Sequence, residues 1–67
     1  MNERQKNILE YIKSYTAENQ YPPTLREIAT AVGLKSQSTV HGHLEILKVK
    51  GYVNFVASRP RTLTVVI

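Results

Sequence analysis

The sequence contains no cysteine, and only three glycines and three prolines occur among its 67 residues. Without cysteine, disulfide bonds and thiolate zinc sites are both excluded. No segment approaches the run of about 18 apolar residues that crosses a bilayer. The polar residues 1–6 lead into no apolar core of a secretion signal. These absences favour a soluble, cytoplasmic protein without a membrane segment.

The sequence also lacks the features that catalysis needs. It has no phosphate-binding glycine loop, no recognisable pair of acidic groups and no plausible nucleophile–base pair. A chain of 67 residues forms one domain at most and hardly encloses a substrate cavity of ordinary size. We therefore expect a protein that is not an enzyme and uses no cofactor or metal. Its net charge of +4 instead favours a polyanionic partner, nucleic acid first.

Apolar spacing predicts a first helix over residues 3–18, which ends ahead of the Pro22-Pro23 pair because a residue before proline avoids the helical region. A second, short helix begins at a capping box, in which Thr24 caps the Glu27 amide and Glu27 reaches back to the Thr24 amide. The two helices have the apolar positions Ile8, Leu9, Ile12 and Tyr15, and Leu25, Ile28, Ala29 and Val32.

Gly33 suits the left-handed conformation that ends a helix, and a short turn then leads to a third helix. Either Ser36 or Ser38 can cap this helix, which continues to about residue 50 and stops at Gly51. Its core-facing positions are Val40, Leu44 and Leu47.

Aromatic and β-branched residues predict two strands, over residues 52–56 and 62–67. The residues between them, 57–61, form a turn that carries Arg59 and Arg61. The predicted fold is therefore mostly α with a small β-hairpin. Alternate residues of the second strand share one face: Leu63, Val65 and Ile67.

The second and third helices, joined by a glycine-containing turn, form the pattern of a helix-turn-helix unit. Such a unit needs a helix that is buried on one side and free on the other, so that the free side enters the DNA major groove. The third helix meets this requirement, because small polar residues lie opposite its apolar stripe. They are Ser38, His41, Gly42 and Glu45, with Thr39 on the flank.

Each of these positions also has a simpler interpretation. Ser36 and Ser38 can serve as helix caps alone, and Glu45 can be a solvated surface charge. Gly42 costs about 1 kcal/mol relative to alanine inside a helix, so its place on the free side favours a close approach to a partner. His41 and His43 are two residues apart and point to different sides of the helix, which disfavours a metal site.

Basic residues supply candidate phosphate contacts, although a solvated surface charge is the alternative for each. Two arginines on an exposed turn beside a helix-turn-helix are typical of a wing that touches the DNA backbone or minor groove. The helix dipole accounts for Lys48 and Lys50. The predicted backbone contacts are Arg26, Lys35, Arg59 and Arg61.

Three segments together resemble the N-terminal DNA-binding domain of the LexA repressor family, in its Gram-positive branch. They are YPPTLREIA (21–29), VGL (32–34) and SQSTVHGHL (36–44). The resemblance covers essentially the whole chain and implies a three-helix winged helix-turn-helix fold. It also implies repression of DNA-damage (SOS) response genes by two copies bound to a palindromic operator with GAAC-type half-sites. The positions that it places against the bases are Ser36, Ser38, Thr39, His41 and Gly42.

Members of this family carry a second domain that dimerises the repressor and cleaves the chain, and this sequence stops at Ile67 ahead of it. We therefore expect no self-cleavage by these residues. Two other functions stay open: a small, phage-type module that binds a host regulator, and nonspecific binding of nucleic acid, including RNA. Tyr52 or Phe55 on the strands is a candidate for a weak dimer contact.

Overall fold

The computed structural model describes residues 2–56, 59 and 61–66. Three helices precede a two-stranded antiparallel hairpin, in the predicted order. The first helix ends one residue later than the spacing predicts. None of the described helices combines the length and the apolar character that crossing a membrane requires. The elements are α1 (Glu3–Asn19), α2 (Leu25–Val32), α3 (Gln37–Val49), β1 (Val53–Asn54) and β2 (Thr64–Val65).

The start of α2 and the start of α3 follow local signals in the sequence. The capping box of α2 is complete, since the Glu27 amide donates to the Thr24 hydroxyl at 3.2 Å and the Thr24 amide donates to the Glu27 carboxylate at 2.7 Å. Gly33 ends α2 with a φ of 75°, a conformation that glycine adopts at little cost. Ser36, and not Ser38, caps α3, because its hydroxyl accepts the Ser38 amide at 3.1 Å.

The predicted apolar faces meet in one core between the three helices. The central side chains are Ile8 and Ile12 of α1, Ile28 of α2, and Val40 and Leu47 of α3, each of them 0% exposed. Burial of a side chain of this size contributes about 1.5–3 kcal/mol. The hairpin closes this core with Val53, Phe55 and Leu63.

The two strands are shorter than the sequence predicts. The sequence predicts strands over residues 52–56 and 62–67, but each strand of the described chain has two residues. The prediction of strand extent is therefore wrong, and part of it, at Ile67, lies outside the described residues. Residues 57, 58 and 60 of the predicted turn also lie outside them. The register joins Val53 to Val65 and Asn54 to Thr64.

Side chains replace the ladder where pairing stops. The Thr62 hydroxyl accepts the Val56 amide at 2.9 Å and lies 3.2 Å from the Val56 carbonyl. The Asn54 side chain accepts the Phe55 amide at 3.0 Å. These backbone groups therefore have partners without a longer ladder, because polar side chains compete locally for them.

The inner face of the hairpin is only partly as predicted. Leu63 is buried and Val65 is half-buried, as the alternation indicates. Phe55 is 9% exposed and packs into the core, so its prediction as a dimer contact is wrong. Tyr52 is half-buried against the same core.

Candidate nucleic-acid interface

α3 has one buried face and one exposed face, which is the arrangement that a groove-binding helix requires. On the buried face, Val40 and Leu47 are 0% exposed. Four predicted positions lie on the exposed part of the helix surface: Ser38, Thr39, Gly42 and Glu45. Because α3 packs on its neighbours through one face alone, the other is available to a partner.

His41 is more constrained than its neighbours on this surface. Its ring is half-buried and meets the Phe55 ring edge to face, with centroids 5.7 Å apart. The ring Nε2 lies 3.4 Å from the Glu45 carboxylate, one helical turn along. The Phe55 ring and the Glu45 carboxylate thus both contact the imidazole of His41.

Gly42 is exposed, and no neighbour within the chain explains it. An added Cβ would meet no atom of the described residues within 4 Å. Its φ is also outside the left-handed range, since Gly33 and Gly51 are the glycines with positive φ in the described chain. Neither packing against the described residues nor backbone conformation therefore requires glycine at this position.

His43 has a structural role on the other flank of α3. Its Nδ1 lies 3.4 Å from the side-chain nitrogen of Gln5, which is 4% exposed. The contact joins α1 to α3 across 38 positions of sequence. This contact between two helices favours a structural role for His43.

The predicted basic residues fall into two groups. All four are exposed, but only Arg61 has a side chain that is hydrogen-bonded to other described residues; the others are Arg26, Lys35 and Arg59. Arg59 lines a groove of about 290 Å³ between α3 and the wing, and His41 lines its other side. We use "wing" for Phe55, Val56, Arg59 and residues 61–63, the described part of the connection between the strands. The fold thus brings an exposed wing arginine beside the exposed face of α3.

Arg61 has a different environment, although it belongs to the same wing. Its guanidinium forms an ion pair with Glu27 at 3.2 Å and donates to the Pro22 carbonyl at 3.0 Å. It also lies over the Tyr21 ring, 4.7 Å from the centroid. The prediction that Arg61 contacts a phosphate stays a prediction, but here the side chain is turned towards the start of α2.

Glu27 links this contact to the helix cap. The Tyr15 hydroxyl donates to its carboxylate at 3.1 Å. The pKa of Glu27 lies below its ordinary value, first because the Thr24 amide donates to it, and further because of Tyr15 and Arg61, while partial desolvation opposes them. The carboxylate is therefore held in its charged form by the groups it joins.

Sequence reasoning missed the role of Lys48. Its ammonium donates to the Phe55 carbonyl at 3.1 Å and lies 4.8 Å from the centroid of the Phe55 ring. The sequence suggested only compensation of the helix dipole. A lysine in the last turn of a helix, seven residues before an aromatic residue of a returning strand, is too weak a signal to predict this contact.

The fold is that of a winged helix-turn-helix domain, a class of DNA-binding domain. It has three packed helices, of which α2 and α3 form the helix-turn-helix, and a hairpin beside the exposed face of α3. Residues 1–62 match the family model of the LexA DNA binding domain, and the chain belongs to that family.

Proteins named LexA repressor cover nearly all of the chain. The one from Desulfitobacterium hafniense is 49% identical over 65 residues, which are 97% of this chain and 32% of the relative. The one from Caldicellulosiruptor saccharolyticus is 50% identical over 66 residues, 98% of this chain and 33% of the relative. The chain therefore spans about a third of the length of the curated relatives it matches.

Proposed function

We propose that this chain is the DNA-binding module of a transcriptional repressor, which binds a specific double-stranded operator through α3. One observation carries the proposal: α3 presents an exposed edge of small polar residues while its opposite face is fully buried. A helix seated in this way can enter the major groove, where each base pair has a distinct pattern of donors and acceptors.

Small side chains near the start of α3 suit contact with base edges. Serine and threonine hydroxyls donate and accept, and a threonine methyl group can contact the methyl group of thymine. Ser36 uses one acceptor site for its cap and retains its hydroxyl proton for a base or a phosphate. The base-reading positions that we propose are Ser36, Ser38, Thr39, His41 and Gly42.

Arg26, Lys35 and Arg59 are the proposed phosphate contacts. Each is exposed, and together they account for part of the net charge of +4. Phosphate contacts hold the protein in register without selecting a sequence, and they make affinity fall with salt. Selection of the sequence is thus assigned to α3.

The relatives are named repressors, which supports a role in which this module occupies an operator. A GAAC-type palindrome that binds two copies is the operator class that we propose. The module itself has no catalytic role in this proposal.

Operator binding tests the proposal directly. Fluorescence anisotropy should measure affinity for a DNA duplex with two GAAC-containing half-sites, for a scrambled duplex of the same composition, and for an RNA of the same sequence. We expect at least about tenfold tighter binding to the palindrome, because each mismatched base pair costs about 1–3 kcal/mol. Equal affinity for both duplexes would contradict sequence-specific binding, and preference for RNA over both would replace it with another function.

Gly42→Ala separates stability from binding. Because the added Cβ has open space in the free protein, the free energy of unfolding should rise by about 1 kcal/mol. Operator affinity should fall about five- to tenfold if the methyl group removes one base contact. Urea unfolding and anisotropy measure the two effects.

Ser14→Ala is the matched control for Gly42→Ala. Ser14 is exposed on α1, so alanine there also favours the helix but adds nothing to α3. Its operator affinity should equal that of the wild type. If Gly42→Ala stabilises the fold and binds the operator as tightly as Ser14→Ala does, DNA does not approach α3 at Gly42.

A further inference from the structure

The two described arginines of the wing are both exposed and both line the groove beside α3, but their hydrogen bonds differ. Arg59 is exposed, and its side chain has no hydrogen bond or ion pair with the part of the chain that the structure describes. The Arg61 side chain donates to two residues of the segment that leads into α2 and its first turn. Because Arg59 and Arg61 are the same residue type and lie two positions apart, their roles in the wing can be compared directly.

The contacts of Arg61 use the shape of its guanidinium group as well as its charge. Nη1 donates to both the Pro22 carbonyl and the Glu27 carboxylate, at 3.0 and 3.2 Å, and Nη2 lies 3.5 Å from the second carboxylate oxygen. The central carbon of the group also lies over the Tyr21 ring, 4.7 Å from the ring centroid. A planar fork fits this set of partners, and a point charge such as lysine does not.

The partners of Arg61 are themselves fixed. Tyr15 packs against Tyr21 with ring centroids 5.8 Å apart, and its hydroxyl donates to Glu27. Glu27 is also half of the capping box of α2. Arg61 thus joins the wing to a place where α1, the turn after it and α2 already meet.

The backbone of Arg61 supports the same conclusion. Its φ is 57°, in the left-handed region that residues with a side chain rarely adopt. Such a conformation persists where surrounding contacts hold it. The contacts of its guanidinium with residues 34 and 39 positions away are the ones that can do so.

We propose that Arg61 is a positioning residue that fixes the wing to the start of α2, and that Arg59 is the wing arginine that meets the DNA backbone. This inference rests on the proposed function, because it concerns how the same DNA-binding surface is assembled. Without Arg61, the wing samples other positions, and the fraction of molecules ready to bind falls. The apparent affinity falls by that fraction, while the number of phosphate contacts in the complex is unchanged.

Four variants distinguish the two roles: Arg61→Gln, Arg61→Lys, Arg59→Gln and Arg59→Lys. Operator affinity is measured for each by anisotropy over a range of salt concentrations. A phosphate contact contributes about 0.9 to the slope of log affinity against log salt, and lysine can replace arginine in it. An anchor contributes nothing to that slope, and lysine cannot replace its fork.

We therefore expect Arg61→Gln and Arg61→Lys to weaken operator binding alike, by about two- to fivefold, with the slope of the wild type. Arg59→Gln should lower the slope by about 0.9, and Arg59→Lys should restore it. If Arg61→Lys binds as the wild type does while Arg61→Gln loses about 0.9 of slope, Arg61 is a phosphate contact and the proposal is overturned.

A measurement without DNA separates this proposal from the proposed function. Heteronuclear NOE values of the Thr62 and Leu63 amides should fall in both Arg61 variants and stay unchanged in both Arg59 variants. Circular dichroism checks that all four proteins are folded. Unchanged NOE values in the Arg61 variants would overturn the positioning role of Arg61, even if the wild type binds the operator. If the wild type does not bind the operator, the proposed function alone is overturned.

Discussion

The three helices and the hairpin are held in place by different kinds of interaction. The helices share a core in which Ile12, Ile28 and Leu47 are completely buried. The hairpin contributes side chains to that core, but its backbone has only two pairs of ladder partners. Buried area, which acts in no particular direction, fixes the helices, whereas a few directed contacts fix the hairpin.

These directed contacts come from side chains that reach backbone amides, backbone carbonyls or a carboxylate. Lys48 donates to the Phe55 carbonyl, Thr62 binds Val56, and Arg61 reaches Pro22 and Glu27. The difference teaches that α3 is held by the buried core, while the wing depends on individual side chains. Substitutions can therefore change the wing and leave α3 intact.

The largest expected effect on the free energy of unfolding comes from replacing a buried leucine by alanine, once in the helices and once in the hairpin. Leu47→Ala should lower the free energy of unfolding by about 2–5 kcal/mol, because Leu47 is 0% exposed and its cavity is enclosed by helices. Leu63→Ala removes the same atoms from a residue that is 7% exposed. Its cost should be smaller, since the irregular backbone around Leu63 can collapse into the space.

Urea unfolding of both variants measures this difference. A Leu63→Ala cost equal to that of Leu47→Ala would show that the hairpin is as integral to the core as α3, and the contrast between the regions would not hold.

A medium effect is expected at Thr62. Thr62→Val keeps the side-chain shape but removes the hydroxyl that accepts the Val56 amide at 2.9 Å, which should cost about 0.5–1.5 kcal/mol. Hydrogen exchange at the Val56 amide should speed up, while amides in the middle of α3 keep their protection. Loss of protection throughout α3 would mean that wing and helix unfold together.

Thr64→Val is the matched control for Thr62→Val. Thr64 is exposed in β2, and its hydroxyl makes only a long contact of 3.4 Å with the Thr62 carbonyl. The thermal midpoint of Thr64→Val and the exchange rate of its Val56 amide should stay near those of the wild type.

The smallest effect concerns Glu27, which belongs to α2 but holds the wing. Because its pKa is lowered in the folded protein from an ordinary value of 4.5, its stabilisation is complete above that pH and is lost as the pH falls through the folded value. Glu27→Gln should therefore lower the thermal midpoint at pH 7, and the gap to the wild type should close as the pH falls well below 4.5.

Thermal melts of both proteins from pH 7 to about pH 3 follow this gap. The difference between the two thermal midpoints at each pH removes the contribution of the other carboxylates, because both proteins contain them. A gap that stays constant down to the lowest pH would mean that the Glu27 charge makes no net contribution to folding.

The helices could be predicted because their signals are local. The Thr24–Glu27 capping box and the left-handed Gly33 lie within one or two turns of what they control, and the structure has both. The choice between Ser36 and Ser38 as the cap of α3 needed the backbone geometry at that turn. The extent of the strands was predicted wrongly, because a β-propensity pattern does not register that the Thr62 hydroxyl competes for the Val56 backbone.

The exposed edge of α3 was also predictable, since helical periodicity assigns opposite faces once one face is apolar. The surroundings of Arg61 and His43 were not. Their partners lie 34 to 39 positions away for Arg61 and 38 for His43, and each bare sequence position looks like an ordinary polar surface residue.

By itself, the sequence determined the number and order of the elements, the caps of α2 and the two faces of α3, because spacing and capping act over a few residues of continuous chain. The tertiary structure alone decided which arginine of the wing pairs with Glu27, how far the strands pair, and which groups the His41 side chain contacts. These depend on distances between groups far apart in the chain, which exist only after the core has brought the helices and the hairpin together.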